Sequence, residues 1–160
     1  MTVLLRIELG TQRMLLLKDN QLLDKYAISS AANGVGEADG SGCTPRGKHR
    51  IKLKIGAGCA PGSVFIGRRP SGEVYSDQLA AQFPDRDWIL TRILWLTGSE
   101  SGINRGGECD TLRRYIYIHG TPPGEPMGIP RSHGCIRMHD QALLKLFENV
   151  EVGTTVDIIE

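Results

Sequence analysis

The sequence predicts a mainly β fold, a β-sandwich or barrel-like body carrying one or two short helices. Three observations point there. The chain holds 20 Gly and 8 Pro in 160 residues, enough punctuation for many turns. Its apolar residues recur mostly at period two, as at Val3, Leu5, Ile7 and Leu9. Helical periodicity is clear only once, in Gln141 to Phe147 near the C-terminus. A chain of this length suits one domain over 1–160, burying roughly 68–70% of its unfolded surface.

Taken in order, Val3 to Leu9 reads as a first strand. Met14 to Lys18 and Leu22 to Ser29 flank Asp19-Asn20, a hairpin signal. Ser30 to Gly42 is small, polar and Gly-rich, hence a loop. Lys48 to Ile55 is a strand, Gly56 to Gly62 a turn, and Ser63 to Arg68 a short strand ending near Pro70-Ser71-Gly72. Residues 73–87 are polar, with a turn or two of helix over Asp77 to Gln82. Trp88 to Thr97 reads as a buried strand and Gly98 to Gly107 as a flexible loop. In Arg113 to His119, alternation places Tyr115, Tyr117 and His119 on one face, with Arg114, Ile116 and Ile118 on the other. A Pro-stiffened loop, Pro122 to Arg131, follows. Asp140 is expected to N-cap the helix, and Val150 to Ile159 to return as strands about Gly153-Thr154.

Composition narrows the partners. The net charge of +1 gives no field drawing the chain to nucleic acid or anionic lipid. Locally, Arg46, Lys48, Arg50, Lys52 and Lys54 recur at period two opposite His49, Ile51, Leu53 and Ile55. That pattern is either a solvated strand face or an anionic-substrate surface. Arg6 and Glu8 interrupt what would be the apolar core of an export signal, and no apolar run is long enough to span a bilayer, so the expectation is a cytoplasmic protein. Cys43, Cys59, Cys109 and Cys135 are then expected to be reduced thiols. The spacings His119-x13-His133-x-Cys135 and Cys43-x5-His49 match no common zinc pattern, and neither metal nor cofactor is expected.

The chemistry concentrates in Ser132-His133-Gly134-Cys135-Ile136-Arg137, with Ile118-His119-Gly120-Thr121 upstream. A thiol nucleophile near neutral pH needs an imidazole neighbour, which on this reading lowers its pKa toward the thiolate. Gly134 lets the backbone turn so that N–H groups around Cys135 face a developing oxyanion. Together these residues spell a cysteine acyl-transfer site.

The same residues resemble the signature of the L,D-transpeptidase (YkuD-type) catalytic domain family. Thr44-Pro45-Arg46-Gly47 and Gly102-Ile103-Asn104 extend the likeness, as do the C-terminal helix and Gly153-Thr154-Thr155-Val156, over nearly the whole chain. Arg137 stands where the family often has Asn. The resemblance implies Cys135 as nucleophile and His119 as general base, its imidazole oriented by the Gly120 carbonyl or the Thr121 hydroxyl. It implies Gly134 and Cys135 N–H as oxyanion donors. His133 either assists at that pocket or is a structural hydrogen-bonder. Arg137 is read as a clamp for a substrate carboxylate, against a surface ion pair as the alternative. Ser132, more a turn residue than a second nucleophile, and Tyr117, on the functional face, complete the substrate-side set. The implied substrate is a murein tetrapeptide or muropeptide, with carbapenem-type β-lactams as covalent inhibitors. Joined to the absent export signal, this gives an expected L,D-carboxypeptidase trimming tetrapeptides in peptidoglycan recycling. The alternatives are an L,D-transpeptidase and a non-catalytic murein-peptide binding module.

Overall fold

A computed structural model describes residues 2–160. Strands β1 (Val3–Glu8), β2 (Arg13–Lys18) and β3 (Gln21–Ala27) form an antiparallel meander. Asp19 and Asn20 turn between β2 and β3 with φ of 50° and 68°, the left-handed pair that a tight hairpin demands and that Asp and Asn tolerate. Beyond them come β4 (Gly47–Ile55), β5 (Ser63–Ile66), β6 (Arg69–Val74), α1 (Asp77–Gln82), β7 (Leu90–Gly98), β8 (Tyr117–Thr121), β9 (Ile136–His139), α2 (Asp140–Asn149) and β10 (Thr155–Ile159).

One curled sheet runs in the order β3-β2-β1-β10-β4-β7. At the far edge of β7 it divides, one branch being β5 and β6, the other β8 and β9. The C-terminal strand β10 pairs parallel to β1 and antiparallel to β4, so both ends of the chain are sewn into the middle. Helix α2 presents Leu143, Leu146 and Phe147, spaced three and four apart, to a core with Leu5, Ile7, Leu94, Leu96, Ile118 and Ile136. No helix among the described residues is long and apolar enough to cross a membrane.

The mainly β architecture agrees with expectation, and four local readings need correction. Strand β6 follows the Gly67-Arg68 turn although Pro70 and Gly72 argue against a strand. It lies at the sheet's edge, where a missing donor costs little. Arg113 to Ile116 are not strand, because Tyr115 turns with φ of 57° before β8 starts at Tyr117. Asp140 is the first helical residue and not the cap. His139 holds the cap position without a side-chain bond, while the Asp140 carboxyl is buried under Gly120. A single strand, β10, follows α2.

The basic alternation of β4 holds only as far as a bulge between Ile51 and Leu53. The slip reverses the faces beyond it. Leu53 is exposed, while Lys54 turns to donate to the Phe147 and Val150 carbonyls, 2.7 Å each, at the C-terminal end of α2. Lys48, Arg50 and Lys52 remain solvated.

Candidate active site

Parallel pairing of β8 with β9 closes the gap of 16 residues between His119 and Cys135. In that register Ile118 lies opposite Ile136 and His119 opposite Arg137, which sets Cys135 beside the start of β8. The Tyr117 N–H accordingly donates to Cys135 Sγ at 3.2 Å. Across β8, strand β7 slips between Leu90 and Ile93, directly opposite Gly120 and His119. Thr91, inside that slip, has φ of 76°, an outlier for a β-branched residue. A Cβ at Gly120 would lie 2.3 Å from Asp140 Oδ1 and 2.5 Å from the Leu90 carbonyl, so only glycine fits between β7 and α2.

His119 is fully buried but lines the cavity that holds Cys135. Its Nδ1 lies 2.7 Å from the Gly120 carbonyl, an atom that only accepts, so Nδ1 carries the proton and Nε2 keeps its lone pair. The carbonyl, and not Thr121, is the orienting group. No hydrogen bond joins Nε2 to the thiol. The thiol instead donates to the Tyr115 carbonyl at 3.3 Å.

The cysteine loop is strapped from several sides. Gly134 has φ of 137°, and its carbonyl accepts from the Thr44 hydroxyl at 2.9 Å. That bond gives the Thr44-Pro45 turn a direct part in holding the loop. Ser29 and Arg137 exchange backbone hydrogen bonds, and Ser132 is bracketed by Ser30 and Ala32. Asn104 donates to the Arg46 and Lys48 carbonyls, tying the two remaining sequence signals together.

The expected pair of oxyanion donors is not equivalent. The Gly134 N–H donates to Ser132 Oγ at 3.2 Å, so it is not a free oxyanion donor; the Cys135 N–H has no partner among the described residues. Ser132 is buried at the cavity's border, and its hydroxyl also donates to the Cys135 carbonyl, which shapes the loop.

The cavity, of about 290 Å³, is bordered by Phe65, Ile93, Tyr117, His119, Cys135 and three arginines, Arg68, Arg114 and Arg137. Arg137 is itself buried, and its guanidinium is engaged in ion pairs with two half-exposed carboxylates, Asp87 at 3.1 Å and Glu125 at 3.5 Å. His133 is exposed, its Nδ1 3.2 Å from the other Asp87 oxygen. Asp87, Glu125, Arg114 and Arg68 carry no motif in the sequence, and only the fold gathers them. A second cavity of about 270 Å³ adjoins the first across Asp87, His133 and Arg137 and is walled by Trp88, Pro122 and Arg131.

Electrostatics set the resting protonation. Burial pushes the Cys135 thiol up to about 12, aided by Asp87 and opposed by the Tyr117 N–H, Arg137 and Arg114. Burial also depresses His119 below its usual 6.5, against the pull of the Gly120 carbonyl. Both shifts favour a neutral thiol beside a neutral imidazole over the thiolate expected from the motif, because desolvation penalises the charged forms.

The family model for the L,D-transpeptidase catalytic domain (YkuD) matches residues 2–158. Over 49 residues the chain is 43% identical to the probable L,D-transpeptidase YbiS of Escherichia coli K12, covering 31% of this chain and 16% of that protein. Over 47 residues it is 45% identical to the putative L,D-transpeptidase YqjB of Bacillus subtilis 168, covering 29% of this chain and 27% of that one. Its fold superposes on L,D-transpeptidase 3 of Mycobacterium tuberculosis in complex with a faropenem-derived adduct. There the TM-score is 0.61 and the identity 14%, over 99% of this chain and 60% of the other. The matches thus span 16% and 27% of the curated relatives and under two thirds of the solved one. With the family model matched from end to end, the chain belongs to the L,D-transpeptidase (YkuD) catalytic domain family, a family of cysteine-dependent enzymes.

Proposed function

We propose that Cys135 takes the acyl group of a murein tetrapeptide at its third residue and releases the terminal D-Ala. The observation that carries this is one cavity in which a half-buried thiol and an imidazole whose tautomer is fixed by the Gly120 carbonyl both stand. On this reading the thiol turns from Tyr115 to His119. Its proton passes to Nε2 as sulfur bonds to the carbonyl carbon, a concerted step suited to two neutral partners. The oxyanion that forms faces the Cys135 N–H. His119 then protonates the departing D-Ala nitrogen as the C–N bond breaks, leaving a thioester. His133, exposed and turned to Asp87, serves as a structural partner of that carboxylate and not in proton transfer.

Water as acceptor gives L,D-carboxypeptidation, the outcome expected from the sequence. An amine from a second stem gives transpeptidation. One observation favours the amine: the second cavity offers it a separate approach across Asp87 and Arg137. A recycling role inside the cell belongs to the first outcome. Cell fractionation tests that location. The faropenem-derived adduct on the M. tuberculosis relative supports β-lactams, carbapenems among them, as acylating agents of Cys135.

The test is mass spectrometry of a disaccharide-tetrapeptide incubated with the protein, with and without free D-Met, Cys135→Ala serving as the blank. Tripeptide in both mixtures establishes the carboxypeptidase. A D-Met-exchanged or cross-linked product establishes the transpeptidase. An unchanged substrate with both overturns the acyl-transfer reading.

A further inference from the structure

The three arginines at the cavity are not equivalent. Arg137 is neutralised by Asp87 and Glu125. Arg114 is half-buried and spends its guanidinium on the Gly36 and Cys43 carbonyls and Ser41 Oγ. Arg68 has no carboxylate within 4 Å among the described residues. It makes one hydrogen bond, from Nη1 to the Tyr117 hydroxyl at 3.1 Å. Its Nε and Nη2 edge, the side that takes a carboxylate in fork geometry, is unpaired.

That guanidinium is nevertheless held still. Gly67 and Arg68 form the tip of the β5–β6 hairpin with φ of 56° and 65°. For arginine this left-handed backbone costs about 1 kcal/mol, and it throws the side chain over the cavity. There the charge lies 4.6 Å from the centre of the Tyr115 ring and 5.1 Å from that of Trp95. Trp95 is itself anchored by its indole N–H on the Leu112 carbonyl and packs edge-on to Tyr117. Stacking fixes a guanidinium while leaving its in-plane donors free. Tyr117 then measures the separation, its N–H on Cys135 Sγ and its hydroxyl on Arg68.

We infer that Arg68 is the specificity-determining residue for a substrate carboxylate bound beside Cys135. The inference rests on the acyl-transfer reading above. Two carboxylates of a stem peptide meet the chemistry: that of a diamino acid side chain at the third residue, and that of the terminal D-Ala. A full tyrosine side chain separates Arg68 from the backbone amide that touches the sulfur. That reach suits the side-chain carboxylate better than the terminal one, which lies a single residue past the bond attacked.

The test measures binding of three peptides by calorimetry, on Cys135→Ala and on Cys135→Ala/Arg68→Gln, and D-Ala release by the wild type and Arg68→Gln. The peptides are a meso-diaminopimelyl tetrapeptide, its lysyl counterpart and the diaminopimelyl peptide as a C-terminal amide. Arg68→Gln is expected to weaken binding of the first about tenfold or more, with KM rising and kcat nearly constant, and Arg68→Lys to recover part of it. Loss of that difference on the lysyl peptide assigns the carboxylate to the third residue; loss on the amide assigns it to D-Ala. A penalty equal on all three peptides, a penalty on none, or no binding by Cys135→Ala overturns the inference. Arg68-dependent binding without turnover by the wild type leaves it standing and overturns the acyl-transfer reading alone.

Discussion

The two sides of the sheet are built to different standards. On the side of β3, β2, β1 and β10, strands run in regular register but for one bulge near the β2–β3 turn, and the left-handed residues Gln12, Asp19 and Asn20 sit in turns. On the side of β7, β8 and β9, Thr91 and Tyr115 take left-handed backbone within or beside the strands that carry the site. Of the four buried side-chain atoms without a partner among the described residues, three are there: Arg92 Nε, Arg137 Nε and Asp140 Oδ1. Local rules hold where the molecule only has to be stable and break where His119 and Cys135 must be aimed.

Adding a methyl group tests this contrast most severely. Gly120→Ala would drive Cβ into the Leu90 carbonyl and Asp140, with backbone on one side and a buried carboxyl on the other. We expect a loss of about 3 kcal/mol or more in thermal unfolding and a fall in D-Ala release beyond a hundredfold, since the displaced carbonyl is the one that orients His119. Gly153→Ala, where the added Cβ meets open space at φ of 93°, should cost only about 1 kcal/mol, the price of the backbone. Equal losses would erase the distinction between the two sides.

Ion pairs give the next contrast. Arg137→Met leaves Asp87 and Glu125 facing each other and removes a charge that favours the thiolate. Both carboxylates are about two fifths exposed, which limits the cost to about 2 kcal/mol. Acylation by a β-lactam should slow at least tenfold. Arg13→Met breaks the exposed pair with Glu8 and should cost under about 1 kcal/mol with acylation unchanged.

Acid separates the sides differently. His49 is buried between the Gly47 carbonyl and the Thr111 hydroxyl, and burial lowers it to about 4 from the ordinary 6.5. The unfolded chain therefore binds a proton that the folded one refuses. Stability present above pH 6.5 drains as the pH falls toward 4, by about 2 kcal/mol at pH 5. His119 is shifted the same way, and on the proposed mechanism its protonation is expected to set the acid limb of kcat/KM below pH 6.5. His49→Gln should flatten the stability curve, leaving the part due to His119, without moving the acid limb of kcat/KM. A shift of that limb would show that the two histidines are coupled.

What the sequence revealed follows the same division. The hairpin at Asp19-Asn20, the buried β7 and the α2 stripe were legible because period and turn chemistry are local. His119, Gly120 and Cys135 were legible as a motif, and the fold brings them together. Nothing local announced Asp87, Arg114 or Arg68, which enter from a polar stretch, a turn and a hairpin tip. Residue types give the neighbours of a thiol but not its loss of water, so the desolvation that raises Cys135 was not legible in the motif. Likewise, the motif could not reveal that Ser132 occupies the Gly134 amide.

The smallest effect lies on β4, the strand between the two sides, where the plain alternation failed. The β4 bulge turns Lys54 inward, its ammonium on two carbonyls at the end of α2 and 4.2 Å from the centre of the Phe147 ring. A cation there satisfies carbonyls left open by the helix and complements its dipole. Lys54→Met keeps the stem but removes both, and should cost about 1–2 kcal/mol in urea unfolding. Because the contacts are partly buried, added salt should change that difference little. Lys52→Met, two residues earlier on the solvated face, should cost almost nothing. If the two substitutions behave alike, Lys54 is as solvated as the plain alternation implied, and the bulge does not anchor the helix that packs behind the site.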